Sequence, residues 1–334
     1  MDIQLTIIGL GQIGASVGLA LADHPKLVYR VGYDRDPDVI RQARKMGAVD
    51  KAQNNLTAAV QGSDLVLLAL PLDEIRTTMN ELAENLKAGT VLMDTAPVKE
   101  AVAKWAKDTL PDGCFYVGLT PVINPIYLHE EKYGVQAAKS DLFHNGLIAI
   151  VAPPNANSKS IKLAADLTRL LGADPLFAEV VEVDGLMTAT HIVPQLMAAA
   201  LLNATVDQPG WREARKLAGR AYAEVSGPIV HLGEPGALAS TALLNREHVL
   251  RVTDSVIAAL QSLRKDIENK NSEALSERLE RARKGREIWW QQRRAADWAA
   301  EQIPRVKTSA ASDVFGNLLR FGRRTKIRDQ EDGE

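Results

Sequence analysis

The sequence has a single cysteine, Cys114, among its 334 residues, and aromatic residues make up only 5% of it. One thiol cannot close an internal disulfide or hold a zinc ion by itself. No disulfide scaffold and no structural metal are therefore expected, and the composition suits a reducing cytoplasm. Net charge is nearly absent: 40 Lys and Arg stand against 42 Asp and Glu, a formal -2, so no general attraction to nucleic acid is expected. Internal repeats are absent as well. The segment from Leu5 to Ala22 is nearly all apolar and ends in Ala20-Leu21-Ala22, in the manner of a secretory signal. It lacks the basic flank such a signal requires, because only Asp2 and Gln4 precede it as polar residues, and a signal or membrane segment is not expected.

What remains is an ordinary globular composition, 46% hydrophobic and 25% charged, long enough for two domains. Short apolar runs alternate with helix-period segments through the first half: Leu5 to Leu10, Arg30 to Asp34, Leu65 to Leu70, Thr90 to Asp94, Phe115 to Leu119 and Leu147 to Val151. Runs that are apolar without alternation suit a parallel sheet covered by helices on both faces. Pro37 to Met46 and Leu72 to Leu86 suit the crossover helices, with Gly47 closing the first. After about Asp174 the runs give way to long helical stretches: Leu186 to Asn203, Arg212 to Val225, Arg246 to Asn269 and Ser272 to Trp298.

The fold expected is a Rossmann-type parallel-sheet domain over 1–177, followed by an all-helical domain over 178–302 and a basic tail over 303–334. Between Arg278 and Arg328 there are 14 Lys and Arg against 5 Asp and Glu. That excess reads as a solvated face and tail, with contact to an anionic surface as the alternative, since Leu318, Leu319 and Phe321 lie among the cations. Trp289 and Trp290, with Trp105 and Trp298, read as core or dimer interface.

Gly9-Leu10-Gly11-Gln12-Ile13-Gly14 follows the first apolar strand and opens a helix of small residues. Gly9 permits the tight turn, Gly11 admits a pyrophosphate close to the backbone, and Gly14 lets helix and strand pack. Asp34 lies 20 positions beyond Gly14, at the end of the second strand, where a carboxylate accepts hydrogen bonds from the adenosine ribose. Its charge favours NAD, while Arg35 beside it leaves NADP open through pairing with a 2'-phosphate. Leu70-Pro71 and Asp94-Thr95 end later strands at the edge where open α/β sheets bind ligands. The cofactor-binding set is thus Gly9, Gly11, Gln12, Ile13, Gly14, Asp34, Arg35, Leu70, Pro71 and Thr95.

The runs IIGLGQIGASVGLAL, VGYDRD, DLVLLALP, LMDTAPVKEAV, YVGLTPVIN and VDGLMTATHIVPQLMAAAL resemble, in order and spacing, the prephenate/arogenate dehydrogenase family over about Ile3 to Trp298. The resemblance implies a nucleotide-binding domain, a helical dimerisation domain and a cleft between them. It also implies NAD(P)-dependent oxidation of a ring hydroxyl with loss of carbon dioxide, a step of tyrosine biosynthesis.

The catalytic half departs from the family pattern. Pro97 stands where the family's D-x-x-S-V-K stretch has Ser, although Asp94, Val98 and Lys99 match it. Thr120 stands where the H-P-x-A-G stretch has the proton-accepting His. His191 and Pro194 match the S-H-x-x-P-H stretch, but Gln195 replaces its second His. The substrate-carboxylate Arg falls near Tyr222, with Arg220 as a neighbouring substitute.

The catalytic candidates are then His191 and Lys99 for the proton and Thr120 for a hydrogen bond to a small carboxylated substrate. His191 as a core histidine, and Lys99 facing solvent, are the competing readings. His129 and His144 read as loop residues. Two other functions stay open: a non-catalytic NAD(P)-binding sensor, and an enzyme like the hydroxyacid or imine reductases.

Overall fold

The computed structural model describes residues 3–130, 132–154, 156–230 and 235–296. The basic stretch from 303 onward, with its apolar island, lies outside the described residues, as does Trp298. The first part of the chain forms one eight-stranded sheet in the order β3-β2-β1-β4-β5-β6-β7-β8. Its strands are β1 (Ile3–Ile8), β2 (Val28–Tyr33), β3 (Lys51–Gln53), β4 (Leu65–Leu68), β5 (Val91–Asp94), β6 (Phe115–Val122), β7 (Leu147–Val151) and β8 (Asp174–Phe177). The segment Leu5 to Ala22 that imitates a signal is β1, the glycine loop and the first helix, and its strand is central and buried.

Helices cover both faces, as the non-alternating apolar strands require. They are α1 (Gln12–Ala20), α2 (Pro37–Lys45), α3 (Leu56–Val60), α4 (Leu72–Leu82), α5 (Glu100–Thr109) and α6 (Ser158–Leu170). One core packs Leu5, Ile7, Leu65, Leu67 and Val117 against α1 and α6; the other packs Ile8, Val66, Leu68 and Leu92 against α4 and α5. Pro37 takes the first helical position of α2, and the Asp36 carboxylate caps it by accepting the Asp38 amide at 2.8 Å.

The sheet differs from the expected all-parallel one at one place. β6 and β7 pair antiparallel, with Thr120 opposite Ala149, because the chain between them returns through turns and short 3-10 segments instead of a crossover helix. The short strands β3 and β8 carry too few apolar residues to stand out in the sequence.

All described elements after Phe177 are helical: α7 (Val180–Met187), a π turn (Thr188–Ile192), α8 (Val193–Thr205), α9 (Trp211–Leu217), α10 (Arg220–Ser226), α11 (Pro235–Leu244), α12 (Arg246–Glu268) and α13 (Ser272–Ala295). The stretch expected as one helix over 212–225 is two, broken at Ala218-Gly219. From Val180 to Thr205 the helical run is continuous and, with a mean hydropathy of 1.4, long and apolar enough to cross a membrane. At its start, Val180, Val183 and Met187 pack against Ala149 and Val151 of the sheet.

Candidate active site

The glycine loop fits a dinucleotide for reasons visible in the backbone. Gly9 has φ +89°, and a Cβ there would lie 2.4 Å from the Ala69 carbonyl oxygen, so β1 can turn only where β4 ends. A Cβ on Gly14 would meet the Gly9 carbonyl oxygen at 1.9 Å, so α1 rests directly on the turn. Gly11 is different: a Cβ there would meet nothing within 4 Å, so the loop leaves an open cradle above the backbone. Gly11 is the N-cap of α1, with no side chain capping the first turn and no acidic residue in it. The amides and the positive end of the helix dipole are left facing that space, as an incoming phosphate requires.

The Asp34 carboxylate sits beside this cradle, fixed by the Leu10 amide at 2.8 Å and the Asp36 amide at 2.9 Å. Arg35 extends outward and pairs with Glu74 of α4 at 2.7 Å. Leu70 packs toward Gly9, Pro71 is the N-cap of α4, and Thr95, whose amide bonds the Leu68 carbonyl at 3.1 Å, lines a small apolar space with Ile13, Leu119 and Pro121. Thus every residue of the expected cofactor set lies on the glycine loop or at the carboxyl ends of β2, β4 and β5; Gln12, half-buried, begins α1. The residues present fit a dinucleotide.

Lys99 faces neither solvent nor an open cleft. It is 0% exposed, and its Nζ donates to Asp94 Oδ1 at 2.7 Å. Asp94 Oδ2 accepts the Tyr116 hydroxyl at 2.7 Å, and its Oδ1 also accepts the Ala96 amide at 2.8 Å. The lysine stem lies against Gly118, where a Cβ would come within 2.9 Å of Lys99 Cδ. Burial lowers the Lys99 pKa, opposed by attraction to Asp94. Burial, with the Asp94 carboxylate next to it, pushes the Tyr116 hydroxyl well above its ordinary value, so it stays protonated and donates.

Asp184 joins the two parts of the chain. From α7 it accepts the Lys99 amide at 2.6 Å and the Glu100 amide at 3.0 Å, capping α5 across a sequence distance of 85 residues. Its carbonyl oxygen accepts Asn245 Nδ2 at 3.0 Å, and the same amide group donates to Thr188 Oγ1 at 2.7 Å, at the start of the π turn. Desolvation raises the Asp184 pKa despite these amide donors.

His191 lies in that π turn. An i to i+5 pattern relieves the helix of the amide that Pro194 lacks, and such bulges recur at functional positions. Gln195 Nε2 bonds the His191 carbonyl at 2.8 Å. The imidazole reaches solvent, yet the surrounding protein desolvates it and lowers its pKa from 6.5. It is not the core histidine of the competing reading.

Thr120 shares its face of β6 with Gly118, the face on Lys99, and is paired with Ala149, which packs on Val183 and Met187 just before the π turn. Thr120 is 2% exposed, and its Oγ1 has no hydrogen-bond partner in the protein.

The remaining polar candidates are engaged elsewhere. Arg220 is 90% exposed and pairs with Glu224 at 2.7 Å, and the Tyr222 hydroxyl shares a 2.8 Å bond with Thr205. His129 stacks edge-on to Trp290 with ring centroids 5.8 Å apart, which ties the loop after β6 to α13. Trp289 is 48% exposed. Sequence reasoning missed Asp184, Tyr116, Asn245 and Glu74. Nothing local marks a side chain whose partner lies far along the chain; a second acid inside the apolar helix Val180–Met187 was the one signal for Asp184.

Comparison with known proteins agrees with this geometry. Residues 17–175 match the model of the prephenate dehydrogenase nucleotide-binding domain, and residues 181–281 that of the prephenate dehydrogenase dimerization domain. The prephenate dehydrogenase of Bacillus subtilis is 23% identical over 279 residues, 82% of this chain and 73% of its own length. The cyclohexadienyl dehydrogenase of Zymomonas mobilis is 26% identical over 286 residues, 85% of this chain and 94% of its own. The crystal structure of prephenate dehydrogenase from A. aeolicus with hydroxyphenyl propionate and NAD+ superposes with a TM-score of 0.76 at 20% identity, over 86% of this chain and 98% of that one. Two consecutive domain models, matched in order over most of the described chain, place this protein in the prephenate/arogenate dehydrogenase family of NAD-dependent oxidoreductases.

Proposed function

We propose that this protein oxidises the ring hydroxyl of a small carboxylated cyclohexadiene, of the prephenate or arogenate class, with loss of carbon dioxide, and that it does so with Thr120 at the position of the family's proton-accepting His and with the retained His191 as the base. The observation that carries the reading is the buried, unpartnered Thr120 hydroxyl on β6, beside Ala149, on which the helix leading into the π turn packs. A buried hydroxyl without a partner costs about 1–3 kcal/mol, and a substrate hydroxyl or carboxylate oxygen would satisfy it.

When bound, the nicotinamide supplies the hydride acceptor, and the glycine loop and Asp34 hold the dinucleotide that carries it. The neutral His191 imidazole takes the hydroxyl proton as the ring carbonyl forms. It returns that proton to the ring oxygen once the departing carboxylate has left its electron pair in the ring, so no proton is lost overall. A lowered pKa keeps the imidazole neutral, and therefore basic, at neutral pH.

Lys99 is a positioning residue in this account, because its ammonium is committed to Asp94. The Asp94–Lys99–Tyr116 cluster fixes the end of β5, and Asp184 ties that end to the helix carrying His191.

A second copy of the chain completes the helical part. Only 22% of the most apolar window of Val180–Thr205 is buried, and Leu243, Leu260, Ile267 and Leu279 stand exposed on the other helices, a surface that suits a homodimer. One cysteine and the absence of a required disulfide suit the cytoplasm. Turnover of prephenate and arogenate by the purified protein, followed as NADH formation in the native chain and in Thr120→Val, tests the proposal. A chain that turns over neither refutes it.

A further inference from the structure

The ion pair Arg35–Glu74 occupies a telling position. Arg35 follows Asp34 directly after β2, and Glu74 lies in the first turn of α4, which follows β4. Since β1 lies between β2 and β4 in the sheet, the 2.7 Å contact between Arg35 Nη1 and Glu74 Oε1 reaches across the end of β1, where the glycine loop leaves the sheet. This is the adenosine half of the groove, marked by the fixed Asp34 carboxylate.

Arg35 is the group a 2'-phosphate would need, because a guanidinium meets phosphate oxygens with paired donors. Glu74 already engages it. The next arginine along the chain, Arg41, pairs with Asp38. Asp34 cannot swing aside, since two backbone amides hold its two oxygens.

We infer that Glu74 sets the preference for NAD over NADP by withholding Arg35 from a 2'-phosphate. A phosphate entering here must break the Arg35–Glu74 pair and then lie between the Asp34 carboxylate and a released Glu74 carboxylate. A ribose with two free hydroxyls needs neither cation and finds an acceptor in Asp34. The inference rests on the NAD reading above and adds a selectivity residue from outside the glycine loop.

Equilibrium titration of the full chain with NADH and with NADPH, in the native protein, Glu74→Gln and Glu74→Gln/Arg35→Ala, tests it. The native chain binds NADH more tightly. Glu74→Gln narrows the NADH:NADPH ratio by about fivefold to twentyfold through tighter NADPH binding, and adding Arg35→Ala removes that gain. A ratio in Glu74→Gln within about twofold of native, or a gain that survives the loss of Arg35, overturns the inference. If the native chain binds neither dinucleotide, the cofactor reading beneath it fails as well.

Discussion

Replacing Lys99 by Met removes a charge and keeps most of the stem. In the native chain Lys99 and Asp94 are both 0% exposed and 2.7 Å apart. In the variant the Asp94 carboxylate would keep only the Tyr116 hydroxyl and the Ala96 amide as donors. Deleting one partner of a buried ion pair costs about 3–5 kcal/mol, because the other charge stays uncompensated. Met fills the space along Gly118 that the lysine stem fills now, so no large cavity term adds to this. For a domain of this size about 2–4 °C of melting temperature corresponds to each kcal/mol, which places the expected drop at about 6–20 °C. Asp94→Asn combined with Lys99→Met replaces the stranded carboxylate by a neutral amide, whose Oδ1 can still accept from the Ala96 amide while its Nδ2 donates to the Tyr116 hydroxyl oxygen, and should recover a large part of the loss. Urea midpoints and thermal melts of the two variants decide the matter. A single variant within about 1 kcal/mol of native stability refutes the claim that this pair is a buried, committed contact.

The same geometry makes predictions for Thr120, His191, Gly11 and Gly14. Thr120→Val should hold or raise stability, by up to about 1 kcal/mol in denaturant titration, since it deletes an unpartnered hydroxyl at constant shape; over the same substitution kcat/KM should fall about tenfold or more. A structural threonine would show the reverse. The His191 pKa lies below 6.5, so the unfolded chain binds the extra proton first as pH falls. Its contribution to stability is present above about pH 6.5 and is lost as the pH drops through the folded value. The acid limb of the kcat/KM profile should likewise lie below pH 6.5 and vanish in His191→Gln; an unchanged limb in that variant would contradict the assignment. Gly11→Val should leave the melting temperature near native, because a side chain there meets open space, yet weaken NADH binding. Gly14→Ala should lower the melting temperature, because its Cβ is driven into the Gly9 carbonyl.

The nucleotide half of the molecule was legible because its information is local. Gly9 to Gly14, the strand before them and Asp34 beyond them follow from turn sterics and the period of apolar runs, and the fold sets them together as that pattern requires. Helix-period stretches made the second half legible as all-helical, and the resemblance to the family added what such a half is for.

What stayed hidden depends on contacts distant in sequence. Lys99 at the start of a helix looks available for a substrate. Only the arrival of Asp94 on one side and Asp184, from 85 residues away, on its backbone amide shows that it is enclosed. The reversal of β7 was hidden for a related reason: Leu147–Val151 is apolar enough to serve in either direction, and the connection before it decides which. The π turn leaves no mark in the sequence except Pro194 in the middle of an otherwise helical run.

The central proposal is chemistry at Thr120 and His191. Initial rates of NADH formation by the purified native chain, with NAD and either prephenate or arogenate, and by His191→Gln under the same conditions, test this most directly. The account predicts NADH from at least one of the two acids, and a fall in kcat of roughly a hundredfold to ten-thousandfold on losing the imidazole. No NADH from either acid, or a His191→Gln variant that turns over at the native rate, would contradict it.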